Sequence, residues 1–335
     1  MNRKSIHGGN SMLYRYLGNS GLKVSVLGLG TNAFGGRADK ETSIRVLHHA
    51  VDRGITFIDT ANIYTNTKSE EIIGEAFAGR RQDVILATKV GMKRGDGPND
   101  RGSSRHHILA EVEASLRRLR TDYIDLYQIH TFDPFTPLEE TLRALDDLIC
   151  AGKIRYIGAS NYAAWQLMKS LALSERFSLS KYVSIQPGYS LVDRGIEQEL
   201  LPMCIDQNIG VIPYFPLAGG ILTGKYAGGA KPPGSLLDKN PKFSNRMDPE
   251  RMAMGDKVVD IAAQLGTSAT ALSLAWLMHR PAVSTVISGA TRESQIDENL
   301  RAVDLSLSED TLHTLDQASE AFIYAPPFGT APIHK

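Results

Sequence analysis

Eight short apolar runs, spread along the whole chain and separated by helical patterns, restrict this sequence more than any single residue does. They are "VSVLGLGT", "FIDTA", "VILATKV", "IDLYQIH", "IRYIGAS", "YVSIQPG", "GVIPYFPL" and "STVISGA". Between them, "ETSIRVLHHAVDRG", "SRHHILAEVEASLRRLR", "PLEETLRALDDLICAG" and "YAAWQLMKSLAL" carry apolar residues at three- and four-residue spacing, the period of a helix with one buried face. Successive runs start mostly about 30 residues apart, the length of a strand plus its crossover helix. Strands that are apolar at nearly every position are covered on both faces, which calls for a parallel sheet sheathed in helices. Eight such units close the sheet on itself, so the expected fold is α/β, a (β/α)8 TIM barrel.

Three features decorate this frame. "YRYLGNSGLKVSVLGLG" predicts an N-terminal β-hairpin running into the first barrel strand. The interval between the seventh and eighth strands is too long for a simple crossover, and "KYAGGAKPPGSLLDKNPKFSN" within it, rich in Gly, Pro and Asn, predicts an extended loop or flap. The tail "YAPPFGTAPIHK" is irregular and is expected to fold over a face or stay loose. No linker divides the chain, so residues 1–12 read as a disordered leader, 13–325 as one domain and 326–335 as a tail.

Bulk properties remove several function classes. Lysine plus arginine and aspartate plus glutamate both number 37, so no net field recruits nucleic acid or an anionic membrane. Cys150 and Cys204 are far apart without metal or CxxC spacing, and each is expected to be a buried thiol. No apolar run approaches the ~18 residues of a membrane span, and "MNRKSIHGGNSM" lacks the apolar stretch of a signal peptide. A soluble, cytoplasmic protein without a metal is expected, acting on a small molecule, with its oligomeric state open.

In a barrel of this kind the chemistry lies at the C-terminal strand ends, where side chains converge. Here those positions are Gly30, Thr31 and Asn32; Asp59; Lys89; His130; Ser160 and Asn161; Gln186; Tyr214; and Gly289. A lone polar strand end usually satisfies a loop. Asp, Lys and His on three successive strands, with Tyr64 five residues beyond Asp59, are harder to dismiss. A phenol holds its proton near pH 10. A neighbouring ammonium favours the phenolate and is expected to lower that pKa, and a carboxylate beside the ammonium keeps it charged while offsetting its own burial. His130 is then available to orient or donate to a substrate oxygen. Such a site protonates a carbonyl oxygen while something else attacks the carbon, and the hydride must come from a cofactor.

These residues resemble the aldo-keto reductases, the bacterial general type related to potassium-channel beta subunits in particular. The likeness runs from about Tyr14 to about Asp304 and rests on "LGLGTNAFGG", "DTANIYTNTKSEEIIGEA", "ATKVG", "DLYQIH", "IGASNY", "IQPGYSL", "IPYFPLAGGILTGKY" and "ISGATRESQIDENL" in order. It implies that Asp59, Tyr64, Lys89 and His130 form a catalytic tetrad with Tyr64 as general acid. It also implies NADP, less readily NAD, bound without the Gly-rich βαβ motif, and "GLGTNAFGG" indeed lacks GxGxxG spacing. Carried over by position, Ser160, Asn161 and Gln186 would hold the nicotinamide carboxamide and Tyr214 would stack on the ring. Pro216, Leu217, Gly219, Leu222, Gly224 and Lys225 would follow the pyrophosphate. Gln295, Glu298 and Asn299 would hold the adenosine end, where helix N-terminal amides and Arg292 suit a phosphate. Gly30, Thr31, Asn32, Asp59, Gly289 and Thr291 complete the implied cofactor site.

The plainer readings stand beside these. "GGILTGKY" fails as a GxxxxGK[ST] phosphate loop, because Tyr follows the Lys. The basic cluster of "EVEASLRRLRTD", with His106 and His107, reads as a solvent-facing helix side. Phe34, Phe132 and Phe135 suit either an apolar pocket or loop packing. Two departures matter: many relatives carry a Gly-containing loop after Tyr64 where "YTNTKSEE" has none, and many carry Arg or Lys where Thr291 stands. Two competing functions are a nicotinamide-binding sensor or regulatory subunit resembling channel beta subunits, and a lyase using Lys89 as a Schiff-base amine. An adjacent Asp59 favours the ammonium and argues against the lyase.

Overall fold

A computed structural model describes residues 12–230, 232, 235 and 247–329. Most of the expected leader, most of the flap between Tyr226 and Pro249, and the last six residues of the tail lie outside the described residues. The described residues open with the antiparallel hairpin β1 (Tyr14–Tyr16) and β2 (Lys23–Ser25). Eight parallel strands follow: β3 (Leu27–Gly30), β4 (Phe57–Asp59), β5 (Ile85–Val90), β6 (Ile124–Ile129), β7 (Ile154–Ser160), β8 (Ser184–Gln186), β9 (Gly210–Val211) and β10 (Val286–Gly289). They are hydrogen-bonded in the order β10-β3-β4-β5-β6-β7-β8-β9. Val211 also pairs in parallel with Val283, and Ile287 N donates to the Pro213 carbonyl, so the two ends meet and the barrel closes.

Crossover helices follow the strands: α1 (Lys40–Asp52), α2 (Lys68–Ala76), α3 (Arg105–Leu119), α4 (Leu138–Cys150), α5 (Ala164–Arg176) and α6 (Leu200–Asp206), of which α1, α3, α4 and α5 lie on the four segments whose apolar spacing predicts them. After the flap come α7 (Pro249–Gln264) and α8 (Ala269–Met278), then α9 (Glu293–Leu300) and α10 (Glu309–Ala318). Local side chains set several starts: Asp39, Ser104, Asp248, Ser268 and Ser308 each accept a hydrogen bond from a first-turn amide. α8 is buried on every side, which explains its lack of amphipathic period. Among the described residues no single helix is long and apolar enough to cross a membrane, and α7 and α8 are bent by 94° relative to each other.

The larger apolar core lies between strands and helices. The smaller one fills the barrel, where Phe57, Ala87, Leu126 and Ile287 meet Leu17 and Val24 of the hairpin. The hairpin therefore plugs the N-terminal mouth. Strand alternation makes the interior change character one layer up: two residues beyond Phe57, Ala87 and Leu126 stand Asp59, Lys89 and Gln128, pointing the same way. Apolar filling thus gives way to ionic groups as the strands reach their C-terminal ends.

Three expectations are corrected here. Cys204 is buried, but Cys150, the last residue of α4, is exposed. His107 is only 3% exposed, with Asn99 and Asp100 of the loop preceding α3 beside it, whereas His106 is exposed. Arg118 turns inward to pair with the buried Glu70 at 2.6 Å rather than facing water. The tail, as far as it is described, is docked: Gly329 N donates to Asp193 Oδ2 at 2.7 Å, and Arg251 Nη2 to the Pro326 carbonyl at 2.5 Å.

Candidate active site

Asp59 ends β4 at 2% exposure, and Lys89, one residue before the end of β5, is fully buried. Lys89 Nζ lies 2.5 Å from Asp59 Oδ1, donates to the Thr60 carbonyl at 2.8 Å and reaches Tyr64 Oη at 3.2 Å. All three ammonium protons are thereby used. The other carboxylate oxygen, Asp59 Oδ2, accepts from Gln186 Nε2 at 2.8 Å and Gln128 Nε2 at 3.2 Å. A buried ion pair is tolerable only when its remaining hydrogen-bonding capacity is met in this way.

The titration of these groups follows from burial against charge. Burial pulls Lys89 down, but Asp59 and Tyr64 outweigh it and carry the lysine above its usual value. An amine so firmly protonated is unsuited to Schiff-base chemistry. For Tyr64 the expected direction is overturned. Burial is the largest influence and raises the phenol; the Lys89 ammonium pulls it down, Asp59 pushes it up, and the net position is above the ordinary phenol value. Desolvation of the phenolate exceeds what one partly neutralised ammonium returns. His130 is held neutral, its pKa lowered to about 3 by burial and then by Lys89. Its ring stands edge-on to Tyr64, with centroids 5.9 Å apart, and its Nδ1 is buried without a hydrogen-bond partner among the described residues.

A cavity of about 390 Å³ opens at the C-terminal ends of the strands, and Asp59, Tyr64 and His130 line it. Lys89 lies behind them. The implied cofactor residues divide. Gly30, Thr31, Asn32, Ser160, Asn161, Gln186, Tyr214, Pro216, Leu217, Gly219, Lys225, Gly289, Thr291 and Gln295 also line the cavity; Leu222, Gly224, Arg292, Glu298 and Asn299 do not. Glu298 instead accepts from Ser268 Oγ, and Asn299 donates to Ser288 Oγ at 3.0 Å, holding α9 against β10. Phe34 and Phe132 are buried in packing and Phe135 is exposed, so none of the three lines the cavity.

Ser160, Asn161 and Tyr214 form a chain of their own. Asn161 Nδ2 donates to the His130 carbonyl at 3.0 Å and to Ser160 Oγ at 3.1 Å, and Asn161 Oδ1 accepts from Tyr214 Oη at 2.8 Å. Asn161 sits at φ +55°, a left-handed position that asparagine tolerates better than most residues. The segment after Tyr214 winds through further left-handed residues, with Phe215, Ala218, Gly219 and Gly220 at φ of +52°, +47°, +64° and +105°. At Gly220 the missing side chain leaves room for the Lys225 ammonium, which a Cβ there would meet at 2.2 Å.

The donor set fits the phosphates and amide of a nicotinamide dinucleotide. Arg37, Lys225 and Arg292 have no carboxylate ion-pair partner among the described residues, and the first two line the cavity. Gln186 uses its amide protons within the protein, and no described residue donates to its Oε1. Thr291 and the start of α9 are tied together, since Gln295 Oε1 accepts from Thr291 N at 2.8 Å. Sequence reasoning missed Arg37, Phe215, Gly220, Thr223 and Gln128. Arg37 carries one faint signal, the "GGR" that follows the first strand. Gln128 carried none, being one polar letter inside an apolar run.

Comparison with known proteins agrees with this geometry. The profile of the aldo/keto reductase family matches residues 26–320. The "Uncharacterized oxidoreductase YrpG" of Bacillus subtilis is 38% identical over 332 residues, covering 96% of this chain and 98% of its own. A "Probable voltage-gated potassium channel subunit beta" of Arabidopsis thaliana is 41% identical over 304 residues, 88% of this chain and 92% of its own. The "Versiconal hemiacetal acetate reductase" of Aspergillus parasiticus is 33% identical over 338 residues, 91% and 96% of the two chains. With its closed barrel, its buried Asp-Lys pair beneath a tyrosine, and these relatives, the chain belongs to the aldo/keto reductase family of oxidoreductases.

Proposed function

We propose that this protein is a cytoplasmic, NADP-dependent reductase of aldehydes or ketones, with Tyr64 as the proton donor. The observation that carries the reading is the Lys89 Nζ to Tyr64 Oη contact of 3.2 Å at the floor of a cavity that His130 also lines. A nicotinamide dinucleotide bound there would supply the hydride. Tyr64, held protonated by burial, donates to the carbonyl oxygen as negative charge grows on it. Lys89 stabilises the phenolate left behind, and Asp59, fixed by Gln128 and Gln186, keeps Lys89 charged and aimed. Neutral His130 hydrogen-bonds the same oxygen and orients it. Arg37 and Lys225 supply charge for the phosphates, the basis for preferring NADP to NAD. Members named as reductases and oxidoreductases among the relatives support the reaction class.

The test is a carbonyl panel assayed with NADPH and NADH, together with Tyr64→Phe. Turnover should fall by at least about a hundredfold in the variant, with dinucleotide affinity kept. Wild-type rates in Tyr64→Phe would remove Tyr64 as the acid. The Arabidopsis relative supports a second reading, a dinucleotide-binding regulatory subunit. Tight NADPH binding with negligible turnover across the panel, and co-purification with a membrane protein, would favour that reading instead.

A further inference from the structure

The loop that presents Tyr64 has an unusual backbone. Thr65, Asn66 and Thr67 have φ of +47°, +53° and +75°, three consecutive left-handed residues of which none is glycine. Two are β-branched, for which this region is a true outlier, and such conformations persist only where the surroundings enforce them. The segment "YTNTKSEE" supplies no glycine that would adopt the turn freely.

Several contacts enforce it. The two ends of the loop are tied to each other by the hydrogen bond between Thr60 Oγ1 and Ser69 Oγ at 2.9 Å, both residues being fully buried. Between these ends, Thr67 Oγ1 donates to Glu71 Oε1 at 2.6 Å, a contact local to the start of α2. Thr65 Oγ1 reaches further, donating to the Phe34 carbonyl at 2.5 Å. Phe34 is itself fully buried in the loop after β3, and its neighbours Asn32, Ala33 and Arg37 line the cavity. The Thr65 methyl also packs at Gly36, where a Cβ would come within 2.9 Å of it. The residue directly after Tyr64 is therefore fastened to the adjoining rim loop by a hydroxyl that neither glycine nor alanine provides.

We propose that Thr65 is a positioning residue for Tyr64. Its hydroxyl anchors the loop so that the phenol stays within reach of Lys89, and the left-handed backbone at 65–67 is the conformational cost of that anchor. The inference rests on Tyr64 being the proton donor. A purely structural tie predicts activity and melting temperature falling together; positioning predicts that they separate.

Five variants and one spectroscopic signal decide it. Thr65→Ser keeps the hydroxyl and should keep kcat. Thr65→Val keeps the shape without the hydroxyl, and Thr65→Gly also relieves the backbone; both should lose about tenfold or more in kcat, with dinucleotide Kd within about twofold of wild type. Thr67→Gly and Thr67→Ala both lose the hydrogen bond to Glu71 but only glycine relieves the backbone, so Thr67→Gly should melt about 2 °C above Thr67→Ala. The Tyr64 ring resonance, assigned by its loss in Tyr64→Phe, should move in Thr65→Val and stay in place in Thr65→Ser. That signal needs no substrate, so it reads the anchor even if the wild-type chain reduces no carbonyl, an outcome that would sink the proposed function alone. An unmoved Tyr64 resonance with wild-type kcat in Thr65→Val would overturn the positioning role. So would activity lost in Thr65→Gly only in step with its melting temperature. A melting temperature in Thr67→Gly no higher than in Thr67→Ala would overturn the backbone cost.

Discussion

Replacing Lys89 with methionine isolates the interaction on which the proposed chemistry depends. Methionine roughly keeps the side chain's length and removes its charge. At the 3.2 Å separation of Nζ and Tyr64 Oη, an ammonium stabilises a phenolate by about 5 kcal/mol if the effective dielectric is ~20. Asp59, 2.5 Å from the same nitrogen, opposes this, and a net loss of roughly 2–3 kcal/mol corresponds to a fall of about 30- to 200-fold in kcat. The variant also leaves a buried carboxylate without its cation, which costs roughly 3–5 kcal/mol of stability. Lys89→Met/Asp59→Asn separates the two effects, because the uncharged amide no longer needs a counter-ion. The assay is NADPH consumption with a test aldehyde, alongside dinucleotide affinity and thermal melting. Melting should recover in the double variant while turnover stays low. Turnover that recovers along with melting would mean that Lys89 only holds the fold, and the electrostatic account would be refuted.

Three further outcomes are expected. Because Tyr64 stands above the phenol value of 10.0, carbonyl reduction should be flat with pH through neutrality, whereas alcohol oxidation, which needs the phenolate, should climb with pH; a flat oxidation profile would contradict this. His130 titrates at 6.5 unfolded and about 3 folded, so the unfolded state binds the extra proton between those values. The stability His130 contributes is whole above 6.5 and is lost toward about 3, at roughly 1.4 kcal/mol per pH unit; denaturant melts of His130→Asn should show a shallower acid slope, and an unchanged slope would count against it. Arg37→Ser should weaken NADPH by about tenfold and NADH far less, as expected for a charge-assisted phosphate contact, and equal losses for both would exclude that contact.

The sequence alone determined the barrel and named most of the polar groups that the candidate site brings together. Strand and helix periods are local, so eight apolar runs and their crossovers could be read without any knowledge of what they pack against. Strand ends follow directly, which is why Asp59, Lys89 and His130 could be named, and Tyr64 with them. What the sequence withheld depends on register and burial. Gln128 becomes a donor to Asp59 only because β6 aligns it beside Lys89, a pairing between segments far apart in the chain. Arg37 becomes a cavity residue only when the loop after β3 is placed. His107 reads as a surface residue until Asn99 and Asp100 of the loop before α3 are placed beside it. The direction of the Tyr64 pKa was misread for the same reason: neighbouring charges are visible in the residue list, whereas desolvation belongs to the closed barrel. Thr65 and Thr67 give no local hint of a left-handed backbone, since their own propensities oppose it and only contacts such as the Phe34 carbonyl impose it.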